Sequence, residues 1–426
     1  MDVSVKIESL SFGGSGVGRI SGKVVFVPYS APGDNIKVRV TKDTKGFAEG
    51  DIVEFISASP LRKEPPCPLH SICGGCQWLH IPYNEQLKAK EEIFKDTLRR
   101  IGKIDPSIVL TAQPSPMEFN YRSRVQFKVL ESKIGFYKRE SHELVEIPEC
   151  PLANPLINRI LKGLRDVWPP SPSSIVRVDI NVSPSNGNGI VSIYLSQRSD
   201  LDFNSFFRRL TTSIPEITGL IVHIGREEKI SGSSYLFSQE REFRFRASEG
   251  SFSQVNYRQN LKMKDYILSQ ADLKGDETVL ELYSGGGNFT IPLAGRAGKV
   301  IGIEVGKSSI SDARENARIN NIKNATFIQA TSEKGLKEIC KGGVTPPLHV
   351  DLVLIDPPRD GCSKEVIEGI VSFKPKKVIY VSCNPSTLAR DLGRFQAMGY
   401  AARSSRPFDM FPQTYHIESV TELLLF

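Results

Sequence analysis

Three groups of residues in this chain have the types and spacing to do chemistry. Cys383 stands in Ser382-Cys-Asn-Pro385, directly after the apolar, β-branched run 377–381. That run reads as a buried parallel strand, which Asn-Pro ends before a helix beginning near Thr387. Open α/β sheets gather ligands and reactive groups outside the carboxyl ends of their strands, so this thiol is placed to act as a nucleophile. Earlier, Glu281-Leu-Tyr283-Ser-Gly285-Gly-Gly287-Asn288 follows the expected strand 278–283. Glycines there let the backbone approach a ligand, and Glu304, closing the expected strand 300–304, is placed to bind a ribose diol. Thr290 replaces the third glycine of a dinucleotide fingerprint. Together with Asp356-Pro-Pro-Arg359 at a further strand end, the loop favours S-adenosyl-L-methionine over a dinucleotide. The third group is Cys67-x5-Cys73-x2-Cys76, with Cys150 as the natural fourth ligand. Four thiolates suit an iron–sulfur cluster or structural zinc, and His70 offers a Cys3His zinc alternative. The spacing differs from the Cys-x3-Cys-x2-Cys of radical enzymes, which argues against radical chemistry.

The elements that must position these groups divide the chain into three parts. Residues 1–59 carry five short alternating strands with turns at 12–19 and Pro32-Gly33-Asp34, which suits an OB-like barrel. Residues 60–250 hold the cysteines, a helix over 84–100 and a strand-rich remainder. Within it, 121–128 and 133–139 interleave aromatic and basic residues, a pattern that suits stacking of bases and tracking of phosphates. The alternative is the solvated face of two amphipathic strands. Residues 251–426 alternate strands (278–283, 300–304, 326–329, 351–356, 377–383) with helices (288–297, 309–320, 364–371, 387–398). They predict a doubly wound parallel sheet, with 420–426 as a late strand.

Hydrophobic content of 39% and charged content of 24% describe an ordinary soluble protein, and the formal charge of +7 suits a polyanionic partner. The first residues lack a charged-then-apolar signal and no apolar run reaches membrane-spanning length, so a cytoplasmic protein with no membrane partner is expected. Its seven cysteines then read as ligands, nucleophiles or core residues rather than disulfides.

Taken together, these motifs resemble the RNA uracil-5-methyltransferase family, in particular its iron–sulfur branch acting on 23S ribosomal RNA. The resemblance spans nearly the whole chain. It implies that the barrel is a TRAM domain and that Cys67, Cys73, Cys76 and Cys150 hold a 4Fe-4S cluster. It also implies that Gln254 (in Phe252-Ser-Gln-Val-Asn256), Tyr283, Gly285, Asn288, Glu304 and Asp356 form the cofactor side of the site. Cys383 is implied as nucleophile and Glu418, in His416-Ile-Glu-Ser-Val420, as base.

The chemistry requires both. Uracil C5 is a poor nucleophile until a thiolate adds at C6, and its proton must then be removed so that elimination can follow. Glu418 precedes an apolar strand, where partial burial would raise its pKa. The adenine contact stays open between Thr331, a backbone group and Glu333. Cys362 brings a second thiol near the site, as in the two-cysteine RNA cytosine-5-methyltransferases, although Pro358 stands where their first cysteine would. Transfer RNA T-loop methylation and a non-enzymatic RNA-binding factor are the remaining alternatives. A monomer is expected.

Overall fold

The computed structural model describes residues 2–168, 174–197, 202–341 and 348–426. Five strands between Asp2 and Ser57 close into a barrel around Val5, Ile7, Val25, Val27, Ile36 and Val38. The fifth strand, Phe47–Ser57, is longer than the expected 51–55 because its first residues pair with the third strand while its length pairs with the fourth, which closes the barrel. The central region contains a seven-stranded sheet. The helices Pro155–Asp166 and Phe203–Ser213, both unforeseen, share one apolar core with it.

The catalytic part is a seven-stranded sheet of β1 (Thr278–Leu282), β2 (Lys299–Glu304), β3 (Ala325–Gln329), β4 (Leu352–Ile355), β5 (Lys377–Ser382), β6 (Tyr400–Phe408) and β7 (Glu418–Leu425). Its order is β3-β2-β1-β4-β5-β7-β6. The first five strands run parallel, and the four inner ones, β2, β1, β4 and β5, are largely apolar and buried, as strands covered on both faces must be; β3 forms the edge. Strand β7 inserts antiparallel between β5 and β6. It begins at Glu418, two residues before the expected 420. Strand β6 and the helices Tyr257–Ala271 and Ser332–Lys341 lie outside the elements expected from the sequence. The free edge of β6 is covered by residues 109–113, with Leu110 N–H donating to Ser405 O at 2.9 Å and Gln113 N–H to Pro407 O at 2.7 Å. A piece of the central region is therefore hydrogen-bonded onto the catalytic sheet.

Two expectations are narrowed here. In the aromatic–basic stretch, Tyr121 and Phe127 are buried, and Phe136 stacks on Phe127 at 5.1 Å between ring centres, so these three rings face the core. Tyr137 is exposed, with the Lys128 amine 5.9 Å from its ring centre. The expected helix 288–297 is only Thr290–Ala294, because Gly285 (φ 55°) and Gly287 (φ 86°) hold the preceding loop in the left-handed region.

Candidate active site

The strand register brings Cys383 and Glu418 together. Ser382, the last residue of β5, pairs with Ser419 of β7. Cys383 follows Ser382 and Glu418 precedes Ser419, so the two side chains of interest meet where the antiparallel pair ends. Asn384 fixes the turn. Its Oδ1 accepts the Ser386 N–H at 3.0 Å as the cap of helix Pro385–Ala397, with Pro385 at the first helical position. Its Nδ2 donates to Arg359 O at 3.1 Å, and Thr387 Oγ1 donates to the same oxygen at 3.1 Å. The Asp-Pro-Pro-Arg loop is thus pinned to the cysteine turn.

The resulting pocket crowds three acids. Burial, together with the charges of Glu418 and Asp356, pushes the Cys383 thiol up to about 12, against the pull of Arg359. Glu418 is buried and raised well above the usual carboxylate range, by burial and then by Asp356, again opposed by Arg359. Burial raises Asp356 to about 7. The Arg359 guanidinium is the cation that faces both Cys383 and Glu418, and it approaches His416 Nδ1 at 3.3 Å. Its motif was visible in the sequence, but its place between nucleophile and base was not.

The segment before Glu418 is held from the cysteine-bearing side of the chain. Lys90, on helix Tyr83–Thr97, bonds Asp409 at 2.6 Å with both groups buried, and donates to Phe411 O at 3.1 Å. Gln86 and Gln413 exchange hydrogen bonds of 2.8 and 3.0 Å. An ion pair so enclosed is strongly destabilising to break, because either partner alone is a buried unpaired charge.

Beside this pocket lies a cavity lined by Gln254, Tyr283, Gly285, Asn288 and Asp356 among others. Tyr283 itself takes φ 61°, a strained value for a residue with a side chain, at the tip of β1. Asn288 is locked to Asn260 by reciprocal hydrogen bonds of 3.0 and 3.1 Å. Glu281, beneath the loop, is raised to about 8 by burial and accepts a 2.5 Å bond from Thr290.

Glu304 lines an adjoining cavity instead, which shares Tyr283 with the first. Its carboxylate accepts Gly285 N–H at 3.0 Å and Gly306 N–H at 2.6 Å, which ties β2 to the glycine loop. Thr331, Ser332 and Glu333 share this second cavity, as does Val305, which is 61% exposed despite its apolar side chain. Cys362 also lines it. Its buried thiol, raised to about 12 by burial and then by Asp391, faces Tyr380 and Tyr283.

Cys67, Cys73, Cys76 and Cys150 face one another across the junction of the cysteine segment with the central sheet. Burial raises the last three thiols, and neighbouring thiols raise them further. The segment 63–81 has neither helix nor extended strand; Cys73 makes one bridge to Lys138. Gly74 serves close approach rather than an unusual turn: a Cβ there would stand 3.1 Å from Tyr137 O and Arg139 N. His70 is turned elsewhere, with its Nε2 3.0 Å from His80 Nδ1, so the Cys3His alternative is not supported.

Comparison with known proteins accords with this geometry. A family model described as tRNA (Uracil-5-)-methyltransferase matches residues 82–425, and a TRAM domain model matches residues 2–53. The chain belongs to the RNA uracil-5-methyltransferase family. It is an S-adenosylmethionine-dependent RNA (uracil-5-)-methyltransferase with an N-terminal TRAM barrel. It is 35% identical over 433 residues to an uncharacterized RNA methyltransferase of Aquifex aeolicus, covering 99% of this chain and 98% of that one. A similar protein of Halalkalibacterium halodurans is 33% identical over 447 residues, covering 99% and 97%. The crystal structure of Pyrococcus abyssi tRNA (uracil-54, C5)-methyltransferase in complex with S-adenosyl-L-homocysteine superposes with a TM-score of 0.78 at 24% identity, covering 99% of both chains. That likeness establishes the shared fold. Among the described residues, no helix is long and apolar enough to cross a membrane.

Proposed function

We propose that Cys383 and Glu418 methylate C5 of one uridine in 23S ribosomal RNA. The observation that carries this is the β5–β7 register, which sets one thiol opposite one buried carboxylate beside the cofactor cavity. The Cys383 thiolate adds to C6, leaving an enolate whose density lies on C5. Bound S-adenosylmethionine supplies an electrophilic methyl group to that carbon. Glu418 then takes the C5 proton, the C6–sulfur bond breaks and the aromatic ring is restored. Arg359 supports the thiolate and the enolate electrostatically, and the N-terminus of helix Pro385–Ala397 adds to this. Gln254, Asn288 and Asp356 serve the methionine side of the cofactor. Glu304 serves its ribose, and Val305 with Thr331–Glu333 its adenine.

Cys67, Cys73, Cys76 and Cys150 would hold a 4Fe-4S cluster with a structural role, clamping a segment that lacks backbone ladders of its own. Their buried thiols ionise only against a cation, which fits a metal site. A second reading, methylation of a transfer RNA T-loop, draws on the Pyrococcus abyssi enzyme's full-length likeness. Incubating the protein with S-adenosylmethionine and unmodified 23S or transfer RNA, followed by nucleoside mass spectrometry, separates the two. 5-Methyluridine only in 23S RNA is expected; methylation only of transfer RNA would replace the primary reading, and 5-methylcytidine would refute both.

A further inference from the structure

One hairpin joins the central region to the catalytic sheet in an unusual way. Strands Tyr235–Glu240 and Phe243–Ser248 pair only with each other, and helix Lys307–Ile319 with Asn320 covers the outer edge of the second. Asp312 accepts Ser248 N–H at 2.7 Å. Asn316 accepts Arg246 N–H at 2.6 Å and donates to Arg246 O at 3.1 Å. Asn320 does the same for Arg244, at 2.8 and 2.7 Å. Four residues of helix rise about 6.0 Å and two residues of strand about 6.7 Å, so polar side chains spaced by four match backbone groups spaced by two. The helix face thus replaces a neighbouring strand. Asn316 also donates to Gly286 O at 2.8 Å, tying the hairpin to the cofactor loop.

This anchoring holds a row of cations at the mouth of the cofactor cavity. Arg246 lines that cavity and also a groove whose other charged residues are Lys307, Arg314, Glu315 and Arg318. The single carboxylate is occupied by Arg318 at 2.7 Å. Arg244 is exposed next to this groove, its guanidinium lying 3.8 Å over the Phe237 ring, which leaves its outer face free. Among the described residues, Arg244, Lys307 and Arg314 have no carboxylate within ion-pair distance. Unpaired arginines held by a rigid backbone suit phosphate oxygens.

We propose that Arg244, Lys307 and Arg314 grip the phosphate backbone of the substrate RNA where it passes the mouth of the cofactor cavity. This rests on the RNA-methyltransferase reading and adds a docking surface to it. The test is binding of the full chain, with S-adenosyl-L-homocysteine bound, to unmodified 23S and transfer RNA transcripts across a salt series. The triple variant Arg244→Gln, Lys307→Gln, Arg314→Gln is compared with Lys299→Gln, Lys374→Gln, Lys376→Gln, which removes the same charge at the amino ends of β2 and β5. Each lost phosphate contact lowers the slope of log affinity against log salt by about 0.7–0.9. The first triple should flatten the slope by about 2 and weaken binding at least about tenfold. Affinity for S-adenosyl-L-homocysteine and turnover at saturating RNA should stay unchanged, and the control triple should have little effect. Equal slopes for wild type and the first triple, or equal losses from both triples, would overturn the proposal. A wild-type chain that binds neither RNA would contradict the RNA reading itself, and this surface with it.

Discussion

Cys383 and the four-cysteine site both depend on thiols, yet the chain holds them in opposite ways. Cys383 sits at the end of a strand buried on both faces, in a turn whose Asn384 caps the following helix and bonds the Arg359 loop. Its position is set by backbone ladders, so its side chain is free to react. Cys67, Cys73 and Cys76 lie in a segment without ladders, and their side chains are what remains to hold the backbone. The first thiol is positioned by the fold, whereas the others position it. Neutral thiols in either place are inert, and different agents would ionise them: Arg359 and a helix N-terminus at Cys383, a metal centre at the four.

This contrast can be broken experimentally, and the largest effect is expected at Cys383. Cys383→Ala should lower methyl transfer by at least about 10⁴-fold while leaving the melting temperature unchanged, since no ladder depends on the thiol. A large drop in melting temperature would mean that the thiol is structural. Glu418→Gln should cut turnover by roughly 10²–10⁴-fold, the usual worth of a general base, and trap a cysteine–RNA adduct visible by denaturing electrophoresis. Loss of turnover without adduct would move Glu418 to an earlier step.

Arg359→Ala should cost on the order of 10²-fold and displace the pH profile. Burial holds the Cys383 thiol up at about 12 and Glu418 well above the usual carboxylate range, and each must lose a proton to act, so wild-type single-turnover rates should rise with pH. Removing the cation raises both groups further, so the variant's rise should shift to higher pH, with Arg359→Lys intermediate. An unshifted profile would deny Arg359 its electrostatic role. Cys76→Ser is expected to act in the other direction from Cys383→Ala. It should lower the melting temperature by on the order of 10 °C and reduce bound iron, with RNA affinity falling before the rate at saturating RNA. Unchanged RNA affinity with a selective loss of rate would make the cluster catalytic.

The sequence made the chemistry of both sites legible because each rests on residue type at short spacing: one cysteine after a strand, three within ten residues. The parallel sheet was legible too, since doubly buried strands must be continuously apolar. What escaped depends on partners distant in sequence. The pairing of Ser382 with Ser419 follows from where β7 inserts, and the helix ladder of Asp312, Asn316 and Asn320 looks like a solvated face until a strand lies against it. Tyr121 and Phe127 misled because alternation alone does not say which face of a strand meets the core.

The central claim is covalent attack by Cys383 on uridine, and the most direct measurement is intact mass analysis after incubation with 5-fluorouridine-substituted RNA and S-adenosylmethionine. Fluorine at C5 cannot leave as a proton, so elimination is blocked after methyl transfer. A stable adduct mapped to Cys383, absent in Cys383→Ala and retained in Cys362→Ala, is the expected result. An adduct mapped to Cys362, or 5-methyluridine formed in natural RNA by Cys383→Ala, would contradict the account.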